Sequence, residues 1–327
     1  MKKLFLLLPV LLVVFSSGCT TCIPFIGSCT EVTMDTADVL VFDSVAAFPT
    51  TISPEQTVRV KAYVKNLIEN EEYIKTIEMY DKCEGVFDEI SINCGKGEEI
   101  GGISCGGIRV YGKQTIPITW TLTSIKGIKL ETACEPKIKM SYIRDTYGTS
   151  SINFINHDEL KNRLEQGITE PVTSEIDVGP GPIRIFFEVE DEQPIPTDAK
   201  KTVVSLHIKN DGRGYIKDNK IKYSQIEVYG GASPESQSAI DLKIKESLNK
   251  CGFGKPKSDD DGESSNTDDW EIELMGKQET VMFCTIDIPA ELENKDEAEL
   301  HLSVSLKGYE YEIKEKASVV IKPHIIE

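Results

Sequence analysis

Histidine is scarce in this sequence, which limits the chemistry that the chain can perform. Only four histidines occur, at His157, His207, His301 and His324. No His-Glu-x-x-His motif, in which two histidines four residues apart bind zinc, is present. The strand alternation described below places His207 and His301 at outward positions. We therefore expect surface histidines, with no resident metal or other cofactor.

Positive charge is also in short supply. The chain has 36 lysine and arginine residues against 54 acidic residues, and its formal net charge is −18. A nucleic-acid-binding protein needs a basic footprint, so no nucleic-acid partner is expected. The acidity also argues against peripheral binding to anionic lipid and favours solubility. No Asn-x-Ser/Thr acceptor is present, so N-glycosylation through that sequon is not expected.

Charged residues are missing from Leu4 to Thr30, and this neutral run defines the N-terminus. Met1-Lys2-Lys3 precedes an apolar core over residues 4–15, and Ser16-Ser17-Gly18 stands directly before Cys19. A basic start, an apolar core and small residues before a cleavage point form a signal peptide, here residues 1–19. Ser-Ser-Gly-Cys resembles a lipoprotein processing box. Cys19 is therefore a candidate lipid acceptor.

Two alternatives to lipidation stay open, because the neutral stretch continues past Cys19. One is an uncleaved signal anchor over residues 4–27, with the two N-terminal lysines on the cytoplasmic side. The other is simple secretion. All three outcomes deliver residues 31–327 to the outside. We expect an extracytoplasmic protein held by its N-terminus on the outer face of the cytoplasmic membrane, with residues 20–36 forming a stalk.

Nine cysteines in an exported chain are interpreted first as disulfides, and lipidation of Cys19 would leave an even eight. The four cysteines of the first half allow three pairings, which spacing alone does not decide. The preferred pairs are Cys22–Cys29, Cys83–Cys134, Cys94–Cys105 and Cys251–Cys284. Cys19-x-x-Cys22 has the spacing of zinc ligands but lacks a downstream pair, so no zinc site is expected.

A period of two dominates the sequence after residue 36. Val58, Val60, Ala62 and Val64 alternate with Arg59, Lys61, Tyr63 and Lys65. Similar alternation occupies residues 118–123, 137–142, 204–208, 300–306 and 309–313. This pattern is typical of antiparallel strands with one buried face. Trp120 and Trp270 continue the apolar positions and are expected in the core.

The predicted fold is mainly β, with two tandem Ig-like antiparallel β-sandwich domains and one or two short helices. Domain 1 spans residues 37–167, a linker rich in Pro and Gly spans 168–182, and domain 2 spans 183–327. Asn156 or Asp158 caps a helix that ends before Gly167. A second segment carrying Ile240, Ile244 and Leu248 fits a helix or a strand.

The two halves also look like weak copies of one another. Val64-Lys65-Asn66 matches Ile208-Lys209-Asn210, and Gly112-Lys-Gln-Thr115 matches Gly276-Lys-Gln-Glu-Thr280. A third match joins the segment around Cys94 with the segment around Cys251. The order of the matches is the same in both halves. This indicates duplication of one sandwich.

Residues 56–66, together with Thr119-Trp120-Thr121, carry a family resemblance. They resemble the CARDB-like and NEW3-like Ig-type modules of prokaryotic surface proteins. The chain is also similar over residues 38–322 to uncharacterised archaeal surface proteins built from two such modules. The resemblance implies an extracellular Ig-like fold and transfers no catalytic residue. Long insertions at residues 84–110 and 230–269 depart from a minimal module.

Two segments carry residue patterns that are associated with catalysis or metal binding, and neither favours such a site. Gly102-Ile-Ser104-Cys-Gly106 fits the nucleophile-elbow pattern, which needs a buried strand before it and a helix after it. Glycine punctuation and a strand flank Ser104 instead, which favours a loop or disulfide. Asp259-Asp-Asp261-Gly-Glu263 concentrates carboxylates, but the EF-hand register fails there, which favours a solvated loop.

These observations predict a non-catalytic cell-surface protein that serves adhesion, envelope structure or complex assembly, with protein or envelope partners. One alternative is a subunit of a surface filament whose strand edges pair between chains. A further alternative is an exported hydrolase that uses Ser104.

Overall fold

The computed structural model describes residues 37–168, 174–231, 238–251, 271–274, 278–293 and 295–323. In these residues the chain is mainly β, with antiparallel sheets and two α-helices, which confirms the predicted fold class. The signal peptide, the stalk, Cys19, the Cys22–Cys29 pair, the acidic loop at Asp259, Trp270 and His324 lie outside the described residues.

The alternating stretches predicted in the first half lie within strands. They are β1 (Leu40–Phe48), β2 (Thr51–Ile52), β3 (Thr57–Asn66), β4 (Glu72–Asp81), β5 (Phe87–Asn93), β6 (Glu98–Ile100), β7 (Ser104–Val110), β8 (Thr115–Ser124), β9 (Thr132–Cys134) and β10 (Lys137–Ile155). The predicted insertion at residues 84–110 therefore contains three strands of its own.

The second half also consists mainly of strands, several of them only two or three residues long. Its strands are β11 (Ile176–Val178), β12 (Ile183–Val189), β13 (Ile195–Pro196), β14 (Lys201–Asn210), β15 (Tyr215–Ile216), β16 (Lys220–Lys222), β17 (Ile226–Gly230), β18 (Glu271–Glu273), β19 (Glu279–Asp287), β20 (Glu297–Lys316) and β21 (Val319–Ile321).

Three larger sheets organise these strands. The first-half sheet has the order β1-β3-β8-β5, and the second-half sheet has the order β12-β14-β19. A nine-stranded central sheet runs β15-β20-β10-β4-β7-β6, with β11, β13 and β17 pairing beside it. Small sheets join β2-β21-β9 and β16-β18. Inward side chains of all three larger sheets belong to one hydrophobic core.

The two halves share the central sheet, to which each contributes strands. Strands β10 and β20 pair antiparallel along almost their whole length, from Lys137↔Lys316 to Ile155↔Glu297. Because this ladder joins a strand of the first half to a strand of the second, Thr36–Glu327 forms a single compact unit. Part of the expected linker is the strand β11, which pairs with β10 at Gly148–Ser150.

The structure supports the inferred duplication down to single hydrogen bonds. Asn66 and Asn210 each end a strand, and each donates from Nδ2 to the carbonyl four residues later, at 2.7 and 2.9 Å. Each Oδ1 accepts from the backbone N–H two residues later. The backbone N–H of Asn66 bonds Gln114, and that of Asn210 bonds Gln278. The predicted matches therefore share one strand register.

Both helices lie where the sequence placed them. Helix α1 (His157–Glu165) begins at Asn156, whose side chain accepts from the N–H of Asp158 at 2.8 Å. Helix α2 (Ala239–Lys250) begins at Ser238 and buries Ile244 and Leu248. The helix interpretation of this segment is therefore confirmed. Within the described residues, neither helix has the length and apolar character needed to cross a bilayer.

Three disulfides lie among the described residues, and they are three of the four preferred pairs. Cys83–Cys134 closes a span of 51 residues, Cys94–Cys105 a span of 11, and Cys251–Cys284 a span of 33. Cys94–Cys105 links the first-half sheet to the central sheet, because Cys94 directly follows β5 and Cys105 lies in β7. Cys251–Cys284 ties the end of α2 to β19. Each bridge restricts the unfolded chain and stabilises the fold by about 2–4 kcal/mol.

Candidate binding surfaces

Ser104 does not occupy a nucleophile elbow. It is the first residue of β7, where it pairs with Glu78 of β4 and Ile100 of β6. Its hydroxyl donates to a carboxylate oxygen of Glu78 at 3.2 Å. An elbow needs a sharp turn between a strand and a helix, and the residues after Ser104 continue a strand. The local backbone therefore lacks the geometry that exposes a catalytic serine.

The junction between the halves is packed with buried polar side chains. Tyr142 and Tyr311 face each other across β10 and β20, with ring centroids 5.7 Å apart. Burial raises the pKa of Tyr142 well above its usual value. Beside them, Arg144 forms an ion pair with Glu72. Burial raises the pKa of the Glu72 carboxyl, and the nearby Arg144 offsets part of that rise. These groups brace the shared sheet and are closed to ligands.

A second cluster lies on the outward side of the second-half sheet, which we term the closed face: the outward positions of β12, β14 and β19. His207 Nε2 lies 2.9 Å from Ser205 Oγ, and Nδ1 lies 2.7 Å from Glu279 Oε1. Glu188 approaches Nε2 at 3.3 Å. Phe186 stacks on the imidazole with ring centroids 5.0 Å apart and planes 6° apart.

This serine, histidine and glutamate resemble a catalytic triad in spacing, but the serine is closed off. Ser205 is 0% exposed, so a substrate atom has no route to its oxygen. The same hydroxyl donates to Glu190, whereas a nucleophile would present that proton to the histidine. The polar side chains of this cluster therefore hydrogen-bond to one another. Strand alternation predicted an outward position for His207. Ser205, two residues earlier, lies on the same side, and long-range strand pairing brings Glu279 to both.

A different surface covers the outward side of the first-half sheet. We term it the basic face and define it by the outward positions of β3, β8 and β5: Arg59, Lys61, Tyr63, Lys65, Thr115, Pro117, Thr119, Thr121, Thr123, Glu89, Ser91 and Asn93. Strand pairing sets Arg59 beside Thr121, Lys61 beside Thr119, and Lys65 beside Thr115. On the next strand Ser91 continues the first row and Asn93 the second. Neighbouring rows are about 7 Å apart and neighbouring strands about 5 Å.

The cations of the basic face are uncommitted. Arg59 and Lys61 are exposed and Lys65 is partly buried. None of the three forms an ion pair within 4.0 Å with another residue that the structure describes, and the threonine hydroxyls of β8 make no hydrogen bond there either. Glu89 is the one acidic residue among the outward positions that define this face, and it lies at one end.

The basic face is a candidate binding surface that sequence reasoning missed. The alternation of Arg59, Lys61 and Lys65 with valines was visible, but it was interpreted only as the solvent side of a strand. A net charge of −18 averaged over the chain concealed the local excess. A separate count over outward positions of each strand would have found it. Within the described ranges, no group of three or more His, Cys, Asp or Glu side chains is placed to hold a metal ion.

Comparison with known proteins adds little to this geometry. Neither a family model nor a curated protein matches the chain. Among solved structures, the collagen adhesin (CNA) of S. aureus aligns at 11% identity over 87% of this chain and 93% of that chain. Its TM-score is 0.14, which is too low to carry an argument about fold or function. The resemblance to archaeal surface proteins with tandem modules stays a prediction.

Proposed function

We propose that this chain is a non-catalytic, extracytoplasmic protein held at the membrane by its N-terminus, where it displays a rigid binding unit. The three disulfides carry the proposal. Such bonds form and persist in oxidising compartments, and they cross-link the unit at both halves. The signal sequence and Cys19 supply the route and the anchor.

The two outward faces support a binding role over catalysis. Ser104 lies within a strand, and Ser205 is buried beneath its own hydrogen-bond partners. The basic face offers charge and hydroxyl groups on a stiff sheet instead. Adhesion, envelope structure and complex assembly all need such a surface, presented by a fold that resists unfolding outside the cell.

Thiol labelling on intact cells tests the location. A membrane-impermeant maleimide should leave all cysteines of the three disulfides unmodified until a reducing agent is added, and should then label them on intact cells. A cytoplasmic protein of the same strain provides the control, because it should stay unlabelled until lysis. Free thiols in the mature protein, or labelling that requires lysis, would contradict the proposal.

Mass spectrometry of the mature N-terminus tests the anchor. A diacylglycerol-modified Cys19 is the expected result. An intact Met1-Lys2-Lys3 would replace lipidation by an uncleaved anchor and keep the protein at the membrane. An unmodified N-terminus beyond Cys19 would show simple secretion and contradict membrane attachment.

A filament subunit is the second candidate, and the second-half sheet favours it. Strands β12 and β19 each pair with β14 alone in that three-stranded sheet of the described region, so their other edges are available for strand addition. Phe283, on the outward side of β19, is 67% exposed. Electron microscopy of the purified protein over a range of concentrations would show polymers; dispersed particles throughout would rule against this candidate.

A further inference from the structure

We infer that the basic face binds an anionic polysaccharide, an inference that rests on the proposed surface location and deepens it. The face joins three uncommitted cations of β3 to hydroxyl side chains on β8 and β5, the two strands that follow β3 in the sheet. Acidic sugars carry the matching groups, namely carboxylates or sulfates spaced along a chain of hydroxyls.

Charge complementarity is the first argument. A chain of net charge −18 repels polyanions over most of its surface, because like charges oppose approach. Several cations elsewhere on the unit are held by acids, as Lys137 is by Asp81 at 2.9 Å and Lys139 by Glu78 at 2.9 Å. Arg59, Lys61 and Lys65 lack such partners among the described residues, so they are free to meet an anion from outside.

The groups around the cations distinguish a sugar from a protein partner. Protein interfaces deplete lysine and bury apolar side chains at their centre. Here the residues of β8 that pair with the cations are Thr115, Thr119 and Thr121, and Ser91 and Asn93 lie beyond them on β5. On the other side, β1 sets Val41, Ala46 and the exposed Phe48 beside the cations and carries the exposed Asp43. Between Lys61 and Lys65 lies the exposed Tyr63 ring, which pairs with Pro117 and offers a flat apolar surface to a sugar ring.

Spacing along the sheet also suits an extended polymer. Arg59 and Lys61 project about 7 Å apart on one strand, and Lys65 lies about 14 Å beyond Lys61. Each has a threonine hydroxyl on the adjacent strand about 5 Å away. An acidic group can therefore receive a charge-assisted bond from β3 while a neighbouring hydroxyl bonds β8. Several such contacts in line give an affinity that falls steeply with salt.

The second half supplies an internal comparison. Under the shared register, Arg59, Lys61 and Tyr63 correspond to Val203, Ser205 and His207, and Thr119 corresponds to Phe283. Lysine persists only at Lys65 and Lys209, and there Lys209 is paired with Asp211 at 2.9 Å. The same strands thus expose open cations in one half and a closed hydrogen-bond network in the other. The closed face serves as the control surface.

The test measures binding of the full-length protein, in detergent where lipidated, to immobilised polygalacturonate and dextran sulfate. Neutral dextran and poly-L-glutamate serve as further probes. We expect binding to a charged polysaccharide, loss of binding in high salt, no binding to dextran, and at least about tenfold weaker binding to polyglutamate. Binding to neither charged polysaccharide overturns the inference. Equal binding to polyglutamate overturns it in favour of an acidic protein partner.

Two sets of variants locate the site. The triple variant Arg59→Gln/Lys61→Gln/Lys65→Gln should weaken binding about tenfold or more, because it removes three charge-assisted contacts. The control Arg184→Gln/Lys209→Gln removes cations from the closed face and should leave binding unchanged. Thr119→Val/Thr121→Val keeps the charge and should weaken binding about threefold through lost hydroxyl contacts. Thermal unfolding checks that each variant folds.

Equal losses in the triple variant and its control would reduce the effect to overall charge and overturn the inference. Unchanged binding in the threonine variant would overturn the claim that the β8 hydroxyl groups recognise a sugar. The thiol-labelling result is independent of both outcomes. A protein shown at the cell surface that fails to bind either polysaccharide therefore refutes this inference alone.

Discussion

The basic face and the closed face occupy equivalent strands, yet they treat their polar groups in opposite ways. Lys61 and its neighbours on the basic face leave their charges to solvent, whereas Ser205, at the position equivalent to Lys61, gives its hydroxyl to Glu190. His207 is enclosed by Ser205, Glu279 and Phe186. The two copies of the strand arrangement therefore share one hydrophobic core. The outward polar groups of the first copy are open to solvent, whereas those of the second copy bond to one another.

The largest expected effect concerns a core position that differs between the halves. Val60 pairs with Trp120, and the equivalent Val204 pairs with Cys284. Trp120 is fully buried, and its indole N–H donates to the carbonyl of Ile103 at 2.9 Å. Trp120→Ala should lower the free energy of unfolding by about 3–5 kcal/mol, because it leaves a cavity and removes one of the two hydrogen bonds to the Ile103 carbonyl. Urea unfolding followed by circular dichroism measures this loss.

The matched change in the second half removes a bridge at the equivalent position. Cys251→Ala/Cys284→Ala should cost about 2–4 kcal/mol, because the unfolded chain regains the freedom of the loop. A larger cost for this pair than for Trp120→Ala would reverse the expected order and show that the second half depends more on its cross-link than the first half does on Trp120.

The next effect concerns the two strand-ending asparagines. Asn66→Ala and Asn210→Ala should each destabilise the protein by about 2–3 kcal/mol, because each leaves buried backbone groups unsatisfied. Each asparagine makes one further bond: Asn66 Nδ2 donates to the Val110 carbonyl at 3.1 Å, and Asn210 Oδ1 accepts from the Tyr311 hydroxyl at 3.0 Å. Asn210→Ala should cost more, because it removes the acceptor of a buried side-chain hydroxyl. Thermal unfolding compares the two.

Tyr311→Phe separates the contributions of the asparagine turn and the tyrosine. In the Asn210→Ala background it should recover part of the loss, because it removes the orphaned hydroxyl. No recovery, or a larger loss for Asn66→Ala, would show that the two turns differ in some other respect.

A smaller effect distinguishes the two faces directly. Ser205→Ala should destabilise the protein by about 1–2 kcal/mol, because it breaks a buried hydrogen-bond network. Lys61→Ala, at the equivalent position, should change the free energy of unfolding by less than about 0.5 kcal/mol. Chemical denaturation of the two variants is the measurement. A comparable cost for Lys61→Ala would mean that the basic face is also bound up in stabilising the fold.

The smallest effect tests a link between the halves and depends on pH. Burial alone would raise the pKa of Glu310, but ion pairs with Lys75 at 2.6 Å and Lys217 at 3.4 Å bring it below 4.5. A lowered carboxyl pKa gives stability that is present above 4.5 and is lost as the pH falls through the folded-state value. Glu310→Gln should therefore cost less than about 1 kcal/mol at neutral pH.

Unfolding of the Glu310→Gln variant at several pH values checks the sign. The difference from the parent protein should disappear as the pH falls well below 4.5. The exposed Glu98→Gln variant serves as the control and should show no such difference. A gap that widened in acid would reverse the assignment.

Local sequence patterns predicted many of the strands and helices of this protein. The arrangement of these elements depends on pairing between distant parts of the chain. Alternation located β3, and capping by Asn156 located α1, because both signals lie within a few residues. The matching Asn66 and Asn210 segments revealed the repeat. The pairing of β10 with β20 was missed because it joins residues more than a hundred positions apart. The basic face was missed for a related reason. The net charge of the whole chain does not show on which side of a strand the charged residues lie.

The last strand has a consequence for how the protein is made. Strand β21 lies between β2 and β9, and Val319 and Ile321 are fully buried there. If the chain crosses the membrane from its N-terminus, Ile52 and Cys134 emerge long before these partners. Loop closure over such separations is slow. The early part of the chain must therefore wait, incompletely folded, for the final strand, so release from the export machinery sets the moment at which the whole unit closes.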